Sequence, residues 1–209
     1  MFQGPAADLE ADAAPGFVAA NLGQALWCAA FRPWLGPQRL WLPASLLATT
    51  ALCLVAATVR ASPTEKLVQR LSVVLSTSPT DAKHRGLFEK TPRSIHLGWC
   101  CAAALVNANA AVAASGATAA TCLACAQASV GAALACGLLL SAAGLPAAGL
   151  AVAWALEGLH AAGLPKNALA TAVGPAPLEA LVNFEHTAAI AVGLGAVAVF
   201  LKRATRNEV

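Results

Sequence analysis

Six residues have the types and spacing for metal ligation: His96, Asn107, Glu157, His160, Glu185 and His186. Imidazole nitrogen and amide or carboxylate oxygen suit a hard cation such as the magnesium of a tetrapyrrole. Glu157 and His160 stand one helical turn apart, and Glu185 and His186 are adjacent in an apolar stretch. His96 and Asn107 are eleven residues apart, which places them on nearly the same helix face about 16 Å apart in depth. The cofactor these residues predict is chlorophyll or another tetrapyrrole, with carotenoid or lipid on the remaining surface, and no centre for a free metal ion is expected. Each group also has a plainer reading. The Glu–His pairs can hydrogen-bond at the rim of a bundle, and Asn107, Asn109 and Gln127 can bond neighbouring helices at about 0.6–2 kcal/mol each. On the ligation reading His96→Leu releases pigment and spares the fold, whereas Asn107→Leu loosens the bundle.

The elements holding these residues are membrane spans. Ser94 to Leu156 contains no Asp, Glu, Lys or Arg, and a bilayer core of roughly 30 Å takes about 20 apolar residues per pass. The stretch therefore holds three passes, broken at Ala114-Ser115-Gly116-Ala117 and at Ala143-Gly144-Leu145-Pro146. With 58% hydrophobic and 11% charged residues in 209, and mean hydropathy +0.67, the chain lies outside the soluble range of about 25% charged. The expected fold is an all-α polytopic transmembrane bundle forming one integral membrane domain. Its six spans fall at about 15–32, 42–60, 95–114, 118–143, 146–162 and 182–201, with an amphipathic surface helix at 63–76.

That helix is predicted from the capping box Ser62-Pro63-Thr64-Glu65 and from Leu67, Val68, Leu71, Val74 and Leu75 on one face. Thr77 to Arg93 reads as a polar, basic connector and Ala161 to Leu181 as a Gly- and Pro-rich loop. In the first span Asn21, Gln24 and Cys28 share a face, which should point at protein. Trp27, Trp34 and Trp41 are placed as interfacial anchors.

Arg60, Lys66, Arg70, Lys83, Arg85, Lys90, Arg93, Lys202, Arg203 and Arg206 fall on one side of a six-span arrangement, leaving Arg32, Arg39 and Lys166 opposite. Lys and Arg collect in cytoplasmic loops, so both termini are expected on the cytoplasmic or stromal side. The acidic start, with Asp8, Glu10 and Asp12, has neither the form of a signal peptide nor that of a transit peptide. All seven cysteines fall in spans. Cys122-x-x-Cys125 has redox spacing without a neighbouring cation, so packing is its expected role.

No phosphate loop, Gly-x-Ser-x-Gly or His-Glu-x-x-His occurs, and the chain is not expected to be an enzyme. Glu157-Gly-Leu-His160 is half of a light-harvesting chlorophyll signature, but the Arg that would neutralise the carboxylate is missing. Pro92-Arg-Ser-Ile-His-Leu-Gly-Trp99, followed by small residues and Asn107 and Asn109, resembles the small multi-span proteins labelled tryptophan-rich sensory protein-like. Gln24-Ala-Leu-Trp27 resembles their first span. The resemblance covers about 15–115 and implies a distant relation to translocator proteins that bind porphyrin and sterol.

Two functions follow as expectations. The first is a non-catalytic accessory subunit of a larger membrane assembly, photosynthetic and thylakoid, whose partners are other membrane subunits, lipids and pigments rather than nucleic acid. The second is a stand-alone translocator-like sensor or carrier of a small apolar ligand such as a porphyrin.

Overall fold

A computed structural model describes the backbone of residues 5–31, 36–75, 79–162 and 168–206, and side chains within 15–31, 36–58, 91–162 and 171–205. The described residues form helices and no strands: α1 Pro5–Ala30, α2 Trp41–Leu75, α3 Pro79–Ala114, α4 Ala119–Ala142, α5 Pro146–Ala162, α6 Ala168–Val173 and α7 Pro175–Arg206, with a short 3₁₀ turn at Pro37–Arg39. Among the described residues, four stretches are long and apolar enough to cross a membrane: Trp41–Thr58, Thr91–Ala114, Ala119–Ala142 and Pro175–Thr205. The α5 helix has 17 residues.

Both expected breaks are turns. Gly116 and Gly144 hold φ of +78° and +91°, a left-handed conformation that only Gly adopts at no steric cost. Thr118 restarts the chain as an N-cap, its side chain accepting from the Thr121 N–H at 3.2 Å. Arg203 of α7 donates to the Gly144 carbonyl at 2.6 Å, so the end of the last helix is tied to the α4–α5 hairpin.

Two expectations about the connections are corrected. Residues 63–75 are helical, but they continue α2 from Trp41 rather than forming a separate helix. The expected connector is also mostly helix, since α3 starts at Pro79 and carries Pro92 inside it. Polarity argues against a membrane position without arguing against helix, and Glu, Lys, Arg and Leu are all good helix formers. The side chains of the expected amphipathic face, and Arg32, Trp34 and Lys166, lie outside the described residues. Similarly, the expected Gly/Pro loop from Ala161 to Leu181 holds α6 and the first turns of α7.

The helices form two packed groups. In one, Ala20, Leu47, Ala51, Leu54, Leu97 and Cys100 bring together α1, α2 and α3. In the other, Val130, Ala133, Val152, Ala153, Leu156, Leu181, Ala188, Ala189 and Val192 join α4, α5 and α7. The groups meet where α3 lies on α5, at a glycine: a methyl on Gly98 would fall on the Ala148 carbonyl oxygen. Small residues set such seams because lipid supplies no hydrophobic drive, so close van der Waals approach must hold the helices.

The same rule corrects the face assigned to α1. Asn21 and Cys28 are exposed, and Asn21 donates to the Phe17 carbonyl of its own helix. The packed face carries Gly16, Ala20 and Gly23, which sit against Ala57 and Thr50 of α2. Gln24 of the polar trio reaches a neighbouring helix, its Oε1 lying 3.6 Å from the Cys100 thiol.

Contacts give the directions of the helices. Gly16 meets Ala57, Arg93 lies 5.8 Å over the Phe17 ring, and Gly98 meets Ala148. The described start of α1, the end of the apolar part of α2, the boundary of α3, the Gly144 turn and the end of α7 therefore share one end of the bundle. The turn near 116, the end of α5 and the start of α7 lie at the other.

Candidate functional site

Two constellations emerge, one toward each end. At the end opposite Arg93, α5 and α7 run antiparallel and bring three of the six expected ligands together. His186 Nδ1 lies 3.0 Å from Glu157 Oε2, and the His160 and His186 rings stack with centroids 4.5 Å apart and planes 27° apart. His160 Nδ1 lies 3.3 Å from the Val182 carbonyl oxygen. The positions follow from helix geometry: Glu157 and His160 are one turn apart on α5, so one α7 side chain between them meets both. Beneath them Leu156, Leu181, Ala188 and Ala189 are buried and hold the two helices in register. The His186 and Glu157 side chains are 46% and 48% exposed. Glu185 is half-buried beside this cluster on α7 and contributes no ligand atom to it.

The second constellation faces outward from α3 and α5. Trp99 and Trp154 have ring centroids 5.7 Å apart with planes tilted by 39°. They remain 41% and 68% exposed, so their indoles face the surroundings of the bundle rather than its core. His96, one turn before Trp99, is half-buried and has no hydrogen bond to a described residue. The same two helices, α3 and α5, approach closely at Gly98 and Ala148.

A family model of TSPO-like proteins matches residues 6–198. The chain belongs to the TSPO-like protein family. No curated protein and no solved structure matches it. The family match extends the likeness from the expected 15–115 through α4, α5 and most of α7. This TSPO-like chain is therefore an integral membrane protein.

Asn107 takes part in neither constellation. It is buried on α3, with Nδ2 donating to the Ala103 carbonyl one turn back at 2.8 Å and Oδ1 without a partner. The bond between helices belongs instead to Asn109, whose Nδ2 donates to Ser129 Oγ of α4 at 2.7 Å. Gln127 is exposed.

Sequence reasoning missed Trp154, although it is the lone Trp, Tyr or Phe in α5. It also missed the Cys101–Cys136 thiol pair across α3 and α4, because the spacing of Cys122-x-x-Cys125 is visible in sequence and a contact between spans is not.

Proposed function

We propose that this TSPO-like protein is a non-catalytic membrane sensor or carrier that takes a porphyrin-class ligand from the bilayer at the wall formed by His96, Trp99 and Trp154. The observation that carries this reading is the paired, outward-facing indoles of Trp99 and Trp154, with the half-buried imidazole of His96 one turn before Trp99. A flat apolar macrocycle stacks on indole faces, and each aromatic contact of this kind contributes about 0.5–1.5 kcal/mol beyond burial. Where the ligand carries a metal, the His96 imidazole would hold it through a ring nitrogen. The residues present fit such a ligand.

Family membership supports this reading over that of a photosynthetic accessory subunit, and chlorophyll, thylakoid location and partner subunits form no part of it. In this reading α1 to α5 and α7 all cross the bilayer. The end bearing Arg93 and Arg203 faces the cytoplasm, as the concentration of basic residues there favours.

The test is absorbance titration of the purified chain in detergent micelles with protoporphyrin and with its zinc derivative. Changing Trp99 and Trp154 together to Leu is expected to weaken both ligands at least tenfold. His96→Leu is expected to weaken the zinc derivative alone. Equal affinities in the double tryptophan variant and the wild type would remove the wall as the site.

A further inference from the structure

We propose that Glu157, His160 and His186 form a binding site for a divalent first-row metal ion, zinc being the best match, which clips the end of α5 to α7. This is a site separate from the porphyrin wall. His96 sits near the Arg93 end of α3, level with the start of α5, while the cluster sits near the end of α5. His96 is therefore about 15–20 Å from the cluster along the bundle at 1.5 Å per residue, and of the wall residues Trp154 stands nearest to it, one turn before Glu157 on α5.

The donor set is the first argument. Two imidazoles and one carboxylate each offer one ligand atom, and the three atoms lie within 4.8 Å of one another. Zinc bonds of about 2.0–2.2 Å in tetrahedral geometry need donors roughly 3.3 Å apart. The Glu157–His186 contact at 3.0 Å already meets that spacing, and side chains near half exposure can rotate to bring in the third. Two His with one Glu is a known zinc set that leaves a fourth position for water or another ligand. Imidazole nitrogen selects zinc, nickel or copper, while magnesium and calcium prefer all-oxygen sites.

The surroundings are the second argument. His160 Nδ1 faces the Val182 carbonyl at 3.3 Å. A carbonyl held by one ring nitrogen fixes the tautomer and leaves Nε2 as the metal-binding atom. The rings of His160 and His186 stack with centroids 4.5 Å apart, which holds the two imidazoles side by side at one place on the α5–α7 seam. One carboxylate then lowers the net charge of the bound ion. The exposure of Glu157 and His186 gives the ion a route of approach.

Calorimetric titration of the full chain tests this, tag-free in detergent micelles after chelator treatment, with zinc chloride and with magnesium chloride as control. One equivalent of zinc is expected to bind and magnesium is not. His160→Ala and His186→Ala should each weaken zinc at least tenfold, while His96→Ala should leave it unchanged. Zinc should also raise the unfolding temperature of the wild type and fail to raise that of His186→Ala. Where a variant does not fold, X-ray absorption of the zinc-loaded wild type decides, with two imidazoles expected in the coordination shell. Sulfur ligation by cysteines, zinc affinity unchanged in the His160→Ala, His186→Ala double variant, or equal loss in His96→Ala would overturn the proposal.

Discussion

Adding one methyl group at Gly98 tests both the packing and the proposed ligand wall. A Cβ built there would fall on the Ala148 carbonyl oxygen and lie 2.9 and 3.0 Å from the Ala148 C and Cα atoms. Ordinary carbon contacts are about 3.5–4.0 Å, so the seam between α3 and α5 must open by about 0.5–1 Å. The obstacle is backbone in a buried turn and cannot swing aside. Overpacking of this kind costs about 1–3 kcal/mol, occasionally more, and the gain in helix propensity from Gly to Ala offsets about 1 kcal/mol. A net loss of up to about 2 kcal/mol lowers the unfolding temperature by up to about 8 °C for a chain of this size. Gly131→Ala is the control, because nothing lies within 4 Å of a Cβ there, and it should gain up to about 1 kcal/mol from propensity alone. The assay is thermal unfolding of both variants in one detergent, followed by porphyrin titration. Gly98→Ala should lose ligand affinity because Trp99 follows Gly98 directly and must keep its 5.7 Å approach to Trp154. If Gly98→Ala is as stable as Gly131→Ala, the α3–α5 seam is not closed at Ala148 and the reasoning fails.

Asn109→Leu and Ser129→Ala should each destabilise the α3–α4 pair by about 0.6–2 kcal/mol, and in a double-mutant cycle the second change should cost little once the first is made. Additive losses would show that the 2.7 Å bond is not formed. Cysteines placed singly at each terminus of a cysteine-free variant should label from the same membrane face with an impermeant thiol reagent. Labelling from opposite faces would refute six passes.

Much of the helix content was legible because hydropathy and turn chemistry are local. Gly116 and Gly144 marked both hairpin turns, and the absence of charge from Ser94 to Leu156 marked the helices between them. Polar length was misread: Pro79 to Arg93 looks like loop when membrane position is the criterion, although its residues form helix readily. The buried face of α1 was misassigned because polarity was weighed above size, whereas Gly16, Ala20 and Gly23 decide where α2 can approach. For the site, the shared rim position of the two Glu–His pairs was visible from topology. That His186 would choose Glu157 on another helix over its neighbour Glu185 depends on helix rotation, which no local pattern encodes. Asn107 and Asn109 lie two residues apart, and the same rotation decided which of them reaches Ser129.

The Arg203–Gly144 tie bears on how the chain is assembled during synthesis. The α4–α5 hairpin leaves the ribosome first, and its partner helix ends roughly 40 residues later, about 2–8 s at 5–20 residues per second. In the six-pass reading, lipid tails cover the α7-facing side of α5 through that interval and solvate Val152 and Ala153 about as well as another helix would. Glu157 and His160 have no such substitute and must stay near the headgroups until His186 arrives. Insertion of the final helix therefore completes both ends of the hairpin at once, the guanidinium at its turn and the imidazole at its open end. A chain cut short before Phe184 would leave a hairpin with neither.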